Sequence, residues 1–113
     1  MDFERLLVWQ RSKRLAVALY RALEACRDYG FKAQITKAAV SVPSNIAEGM
    51  ERRGMREKVW FLSVTKASCA ELRTQLMIAA EIDYLPAQLA ADWISETREI
   101  SKMLAGLINK ISD

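Results

Sequence analysis

An all-α, antiparallel up-down four-helix bundle is the fold this sequence predicts, and three observations point to it. Apolar residues recur in alternating steps of three and four over long stretches, the spacing that lines them up on one helix face. Only four Gly and two Pro punctuate 113 residues, too few turns for a many-stranded β fold. Fifty-one per cent of the residues are hydrophobic and 27 per cent charged, which excludes a disordered or low-complexity chain. A chain of this length is expected to form one domain over residues 1–113. Its folded surface should be roughly 6,000 Å², with about two thirds of the unfolded area buried.

The first helical segment is predicted from Asp2, an N-cap residue, to about Asp28, with Gly30 just beyond its end. Its stripe is Val8, Ser12, Leu15, Leu19, Ala22 and Cys26, widened by Phe3, Trp9, Ala16 and Leu23. The second segment spans roughly Phe31 to Arg53. The third, about Met55 to Ile82, has the cleanest period, with Leu62, Thr65, Cys69, Leu72, Leu76 and Ala79. The fourth is announced by Pro86, suited to a first helical turn. It carries Ala90, Trp93, Thr97, Ile100, Leu104, Leu107 and Ile111. Such segments would be about 33–42 Å long, and the short connection at Asp83–Pro86 favours folding back over an extended coiled coil.

Composition removes several chemistries. The chain has no histidine, so Ser-His and Cys-His catalysis, His-ligated zinc and Glu-x-x-His di-metal sites cannot occur. Cys26 and Cys69 stand alone inside helical patterns and are expected to be reduced, packed thiols of a cytoplasmic protein. No Gly-rich phosphate loop or EF-hand series appears. Glu71 beside Thr74 and Gln75 is the one suggestive polar group, and a carboxylate on a bundle helix is usually a salt-bridge partner. No catalytic residue, metal site, cofactor or small-molecule substrate is therefore expected. The amphipathic start is unlike a signal peptide, and no run approaches a membrane span.

Charge is uneven. The formal net charge is +3; residues 1–58 carry 12 Lys/Arg against 7 Asp/Glu, and residues 59–113 carry 5 against 7. The basic side chains crowd at Arg52, Arg53, Arg56 and Lys58, with Arg11 and Arg14 earlier, so the first half is the expected side for an anionic partner. Glu51 and Glu57 interrupt the cluster, and no interleaving of aromatic and basic residues is evident.

The second segment departs from an ordinary bundle helix. On a wheel of 100° per residue, Ile35, Ala38, Ala39, Val42 and Ile46 form the core stripe. Thr36, Val40, Pro43 and Ala47 form a further small, largely apolar face beside it. One reading is a kink that lets the helix wrap its own core. The other is a contact with a second subunit, rewarded by close backbone approach. Lys37, Ser41, Ser44, Asn45 and Glu48 make a polar stripe that reads as a hydrogen-bonding groove, an inter-subunit contact or a solvated face.

The letters of this segment also carry a resemblance. Gln34-Ile35-x-x-Ala38-Ala39-Val40-Ser41-Val42-Pro43-Ser44-Asn45-Ile46-Ala47-Glu48-Gly49 resembles the signature of four-helix bundle proteins encoded in 23S ribosomal RNA intervening sequences. Phe3-x-x-Leu6-x-Val8-Trp9-Gln10 resembles that family's opening. Phe61-Leu62 and Ser68-x-x-Glu71-Leu72-x-Thr74-Gln75-Leu76 resemble its third helix. Two departures stand out. Ala25-Cys26-Arg27-Asp28 replaces the usual Phe-Pro and acidic residue of the first loop, and Ala67 replaces a Gly. The resemblance implies a bundle that assembles as a ring-like homopentamer. It also implies a fold similar to the accessory protein of diversity-generating retroelements, which works with a reverse transcriptase and nucleic acid. The family has no settled activity, and a ribosomal role does not follow from its name.

Two functions are expected from these readings. The first is a homo-oligomer that binds RNA or DNA through Arg11, Arg14, Arg52, Arg53, Arg56 and Lys58. The second is a protein-interaction scaffold that ignores nucleic acid.

Overall fold

The computed structural model describes residues 2–113. A 3-10 turn, Phe3–Arg5, precedes α1 (Leu7–Ala22), α2 (Tyr29–Met50), α3 (Met55–Glu81) and α4 (Ala87–Ser112). There is no strand among the described residues. The helices form a rod of 43 × 21 × 20 Å. Each packs on the next in sequence, and α1 rests only lightly on α4.

The three-four rhythm is what builds the core. Leu62, Thr65, Cys69, Leu72, Leu76 and Ala79 of α3 are all buried, as are Ala90, Thr97, Ile100 and Leu104 of α4. Trp93, Leu107 and Ile111 are only partly covered, because they lie on the thinly packed α1 side of α4 or toward its end. Ser12, Thr36, Thr65 and Thr97 sit in this apolar interior. Each hydroxyl donates to a carbonyl of its own helix, Ser12 to Trp9 at 3.0 Å, Thr36 to Lys32 at 2.6 Å, Thr65 to Phe61 at 2.7 Å and Thr97 to Ile94 at 2.6 Å. A buried hydroxyl costs little once it is paired.

The first segment is shorter than its periodicity predicts. Asp2 does cap, but it caps the 3-10 turn by accepting the Glu4 N–H at 3.0 Å. Leu6 is extended, so α1 starts at Leu7 and ends at Ala22, which is exposed. Leu23 then turns inward to fill the core, and the chain leaves the helix before Cys26. Gly30 belongs to the first turn of α2 rather than to the end of α1. Asp28 is the stronger signal because its carboxylate accepts the Phe31 N–H at 3.1 Å. The same carboxylate accepts the Tyr84 hydroxyl at 2.7 Å, tying the α1–α2 and α3–α4 connections together. The Tyr84 hydrogen bond, and then the Phe31 N–H, hold the Asp28 carboxyl below its ordinary value. The stabilisation is therefore present above the usual carboxylate range and lost as pH falls through the depressed value.

Helix α2 runs through Pro43 without interruption. Its second apolar face has an intramolecular explanation: α2 packs on α1 and the 3-10 turn along one flank and on α3 along the other. Thr36 and Pro43 are buried within the single chain, so they are not available to a second subunit. Val40 remains 39% exposed and Ala47 half-buried.

Two positions make testable demands on the backbone. A Cβ on Gly49 would stand 2.5 Å from the Cβ of Phe61, and neither atom can swing away because both are fixed to helix backbone. Gly49→Ala should force α2 and α3 apart and cost about 1–3 kcal/mol, read as a lowered denaturant midpoint; an unchanged midpoint would mean that the helices are not this close. Asp83 is left-handed at φ 62° and closes α3 in a Schellman turn, with Tyr84 N–H on Ala79 O at 2.9 Å and Asp83 N–H on Ala80 O at 3.2 Å. Asp83→Gly relieves the Cβ penalty and should stabilise by about 0.5–1 kcal/mol in the same assay.

Candidate nucleic-acid interface and surface clefts

The six basic residues singled out by sequence divide into two groups. Arg11 spans the thin α1–α4 seam. Its Nε donates to Glu96 Oε2 at 2.9 Å, and its Nη2 donates to Glu96 Oε1. The Glu96 hydrogen bond raises the Arg11 pKa above its ordinary value, so this cation is committed to holding two helices together. Lys58 is also internal, its Nζ donating to the Met50 carbonyl at 2.8 Å, one of the groups a helix end leaves without a partner. Arg52 lies 5.0 Å over the Phe61 ring and pairs with Glu48 at 3.3 Å and Glu57 at 3.9 Å. Arg14, Arg53 and Arg56 are exposed and make no ion pair among the described residues.

Arg56 gains a neighbour that sequence reading missed. Trp60, one helical turn on, is 60% exposed, its ring edge-on to Phe61 at 4.9 Å. Met55, Arg56, Val59, Trp60 and Ser63 of α3, with Ser112 of α4, line a largely apolar cleft of about 420 Å³. The Arg56–Trp60 step of four was visible in the sequence. What was not visible is that the indole stays outside the core.

The polar stripe of α2 is rearranged by its neighbour. Lys37 and Ser41 join Gln34, Ala38 and α3's Ser68, Glu71 and Gln75 around a cleft of about 610 Å³. Ser44 is exposed and Glu48 faces Arg52 instead. Asn45 donates to the Ser41 carbonyl at 2.8 Å, and Ser41 to Ala38 O at 2.8 Å; these short side chains bond back to their own helix. Gln75 Oε1 is buried with no hydrogen-bond partner among the described residues.

A further basic cleft lies where the charge count gave no hint of one. Lys66 and Arg73 of α3 meet Arg98, Ser101, Lys102 and Ala105 of α4 around about 380 Å³. The signal was present as two same-face pairs, Lys66/Arg73 seven apart and Arg98/Lys102 four apart. Only the packing of α3 on α4 makes them one group.

No three His, Cys, Asp or Glu residues converge as a metal site among the described residues, and no helix there is long and apolar enough to cross a membrane. Burial pushes the Cys69 thiol up to about 11, because a thiolate in the core loses its hydration. At pH 8 an aromatic disulfide reagent should titrate Cys26, which is half-buried, and reach Cys69 only after denaturation; two thiols reacting at equal rates in the folded protein would contradict this core.

The fold and its clefts define a class: an all-α four-helix bundle whose grooves offer charge and hydrogen-bonding groups. The chain belongs to the 23S rRNA-intervening sequence protein family, which matches residues 4–106. A crystal structure of a protein of unknown function from the S23 ribosomal protein family of Bacteroides thetaiotaomicron VPI-5482 aligns with a TM-score of 0.84. It covers 90% of this chain and 98% of that one at 20% identity, a likeness of fold. No curated protein matches.

Proposed function

We propose that this protein is a non-enzymatic, self-associating bundle that binds RNA. The observation that carries the reading is Trp60, exposed one helical turn from the unpaired Arg56, with the unpaired Arg53 in the connection just before α3. A rigid aromatic face next to free cations suits a nucleobase with its phosphate, since stacking on such a face adds to ionic attraction. Exposed Met55 and Trp60 line one cleft together, and that apolar cleft gives the base a place to sit.

Self-association supports this function by multiplying weak contacts. A ring of several copies, five in the arrangement that the family resemblance implies, would let one RNA engage many sites at once. Two clefts of about 420 and 320 Å³ lie along the thin α1–α4 seam and share Leu7, which is 53% exposed; the larger is lined by Arg11, Arg14 and Glu96 as well as by apolar residues. This seam, rather than the Thr36 and Pro43 flank of α2, is the surface the proposal assigns to the neighbouring copy. The alternative, a protein scaffold with no affinity for nucleic acid, separates from this reading by salt.

The test combines mass and binding. The wild-type protein should run as an oligomer by light scattering, and Leu7→Asp should give a smaller, still helical species. Binding of a labelled RNA should weaken steeply from 50 to 200 mM salt. Arg53→Ala/Arg56→Ala should lower both affinity and salt dependence. Trp60→Ala should lower affinity about tenfold with the salt dependence intact. Absence of RNA binding at 20 mM salt would rule out the nucleic-acid reading, and a monomer at micromolar concentration would rule out the assembly.

A further inference from the structure

Four cations converge on the α3–α4 groove although residues 59–113 carry more acidic than basic side chains. Lys66, Arg73, Arg98 and Lys102 are four of the five Lys/Arg in that half, and the residues lining their cleft include no carboxylate. Like charges four apart on one helix, as Arg98 and Lys102 are, repel and cost stability. Placing a second such pair opposite them on α3 adds to that cost. Lys66 and Arg98 make no ion pair among the described residues, and Lys102 reaches only the exposed Glu99 at 3.5 Å.

One member of the group is held in place. The Arg73 Nε donates to Thr97 Oγ1 at 3.0 Å and its Nη2 donates to Thr97 O at 3.3 Å. Thr97 is itself fully buried and donates to Ile94 O at 2.6 Å. The guanidinium is thus fixed on one edge by the hydroxyl and carbonyl of Thr97, which leaves Nη1 without a hydrogen bond among the described residues. A cation oriented in advance loses little freedom on meeting a phosphate.

The same two helices also line the Trp60 cleft. The Trp60 cleft is closed by Ser112 of α4, and the basic cleft by α4 residues 98–105. From Trp60 to Arg73 is 13 residues of α3, about 20 Å at 1.5 Å per residue. An aromatic face and a set of cations thus lie on the same pair of helices, in two clefts whose nearest lining residues on α3 are Ser63 and Lys66.

Resting on the RNA-binding reading above, we infer that the α3–α4 groove is the track of a single-stranded nucleic acid, with a base on Trp60 and backbone phosphates on Lys66, Arg73, Arg98 and Lys102. A single strand fits because its unpaired bases can reach the indole while its phosphates follow the cations; in a duplex the bases face inward. The phosphodiester backbone is shared by RNA and DNA, so the experiment carries both.

The experiment is fluorescence anisotropy of labelled 12-nucleotide oligouridylate, oligothymidylate and a blunt 12-base-pair duplex across 20–200 mM salt, on the full chain. Lys66→Ala/Arg98→Ala removes two unpaired cations, one half-buried and one exposed, and should flatten the log–log salt slope by about 1.4, at roughly 0.7 per lost phosphate contact. Its affinity for the single strands should fall at least tenfold at 50 mM salt. Arg5→Ala/Arg27→Ala, an equal change of charge away from the groove, should leave the slope unchanged. Lys66→Arg/Arg98→Lys should bind as the wild type does, which separates loss of charge from loss of fold. Binding by the wild type that the Lys66/Arg98 double does not alter would overturn the groove and leave RNA binding standing. Tighter binding of the duplex than of either single strand would overturn the single-strand assignment. Absence of binding by the wild type to all three would overturn both readings together.

Discussion

Helix α2 has to satisfy two neighbours at once, and much of the architecture follows from that demand. Its core stripe, Ile35, Ala38, Ala39, Val42 and Ile46, is buried, yet a stripe of that width serves only one direction. The chain adds Thr36 and Pro43, both buried beside that stripe, and Gly49 on the flank toward α3, where Phe61 comes so close that no side chain fits. Small residues on both flanks let α1 and α3 approach the same helix. The proline costs one hydrogen bond in the ladder, and the helix nevertheless stays continuous because packing on both sides holds its direction. What looks on a wheel like a surplus apolar face is mostly the requirement of a central helix.

The same economy explains the thin seam on the opposite side. With α1 ending at Ala22 and pulling Leu23 into the core, α1 has too few turns to cover α4 along its length. Arg11 and Glu96 bridge the gap by a paired, partly buried contact. The apolar residues on either side of it, Leu7 among them, stay open. An ion pair of this kind fixes orientation more than it adds stability. The seam therefore keeps its register while apolar surface beside it stays open.

Charge shows a similar division between count and place. The basic letters of the first half are numerous, and yet Arg11, Arg52 and Lys58 are turned to holding helices and turns together. The second half is acidic on balance, and yet its few cations meet across α3 and α4. A linear charge profile adds residues that never meet in space. The field at a groove depends on which faces packing brings together.

The letters alone determined the helical class, the four elements, most of the core and the family signature, because helical periodicity and turn residues are local properties. They placed α3 within a residue, since Leu62 to Ala79 repeat without a break. They overran α1 because a periodic stripe continues through Ala22 and Cys26, whereas in the fold Leu23 leaves the helix to fill the core. Only the tertiary structure decided which flank of α2 is spoken for, that Trp60 stays outside, and that Lys66, Arg73, Arg98 and Lys102 form one group. Each of those outcomes rests on the distance between side chains on different helices. No spacing within a single helix encodes that distance.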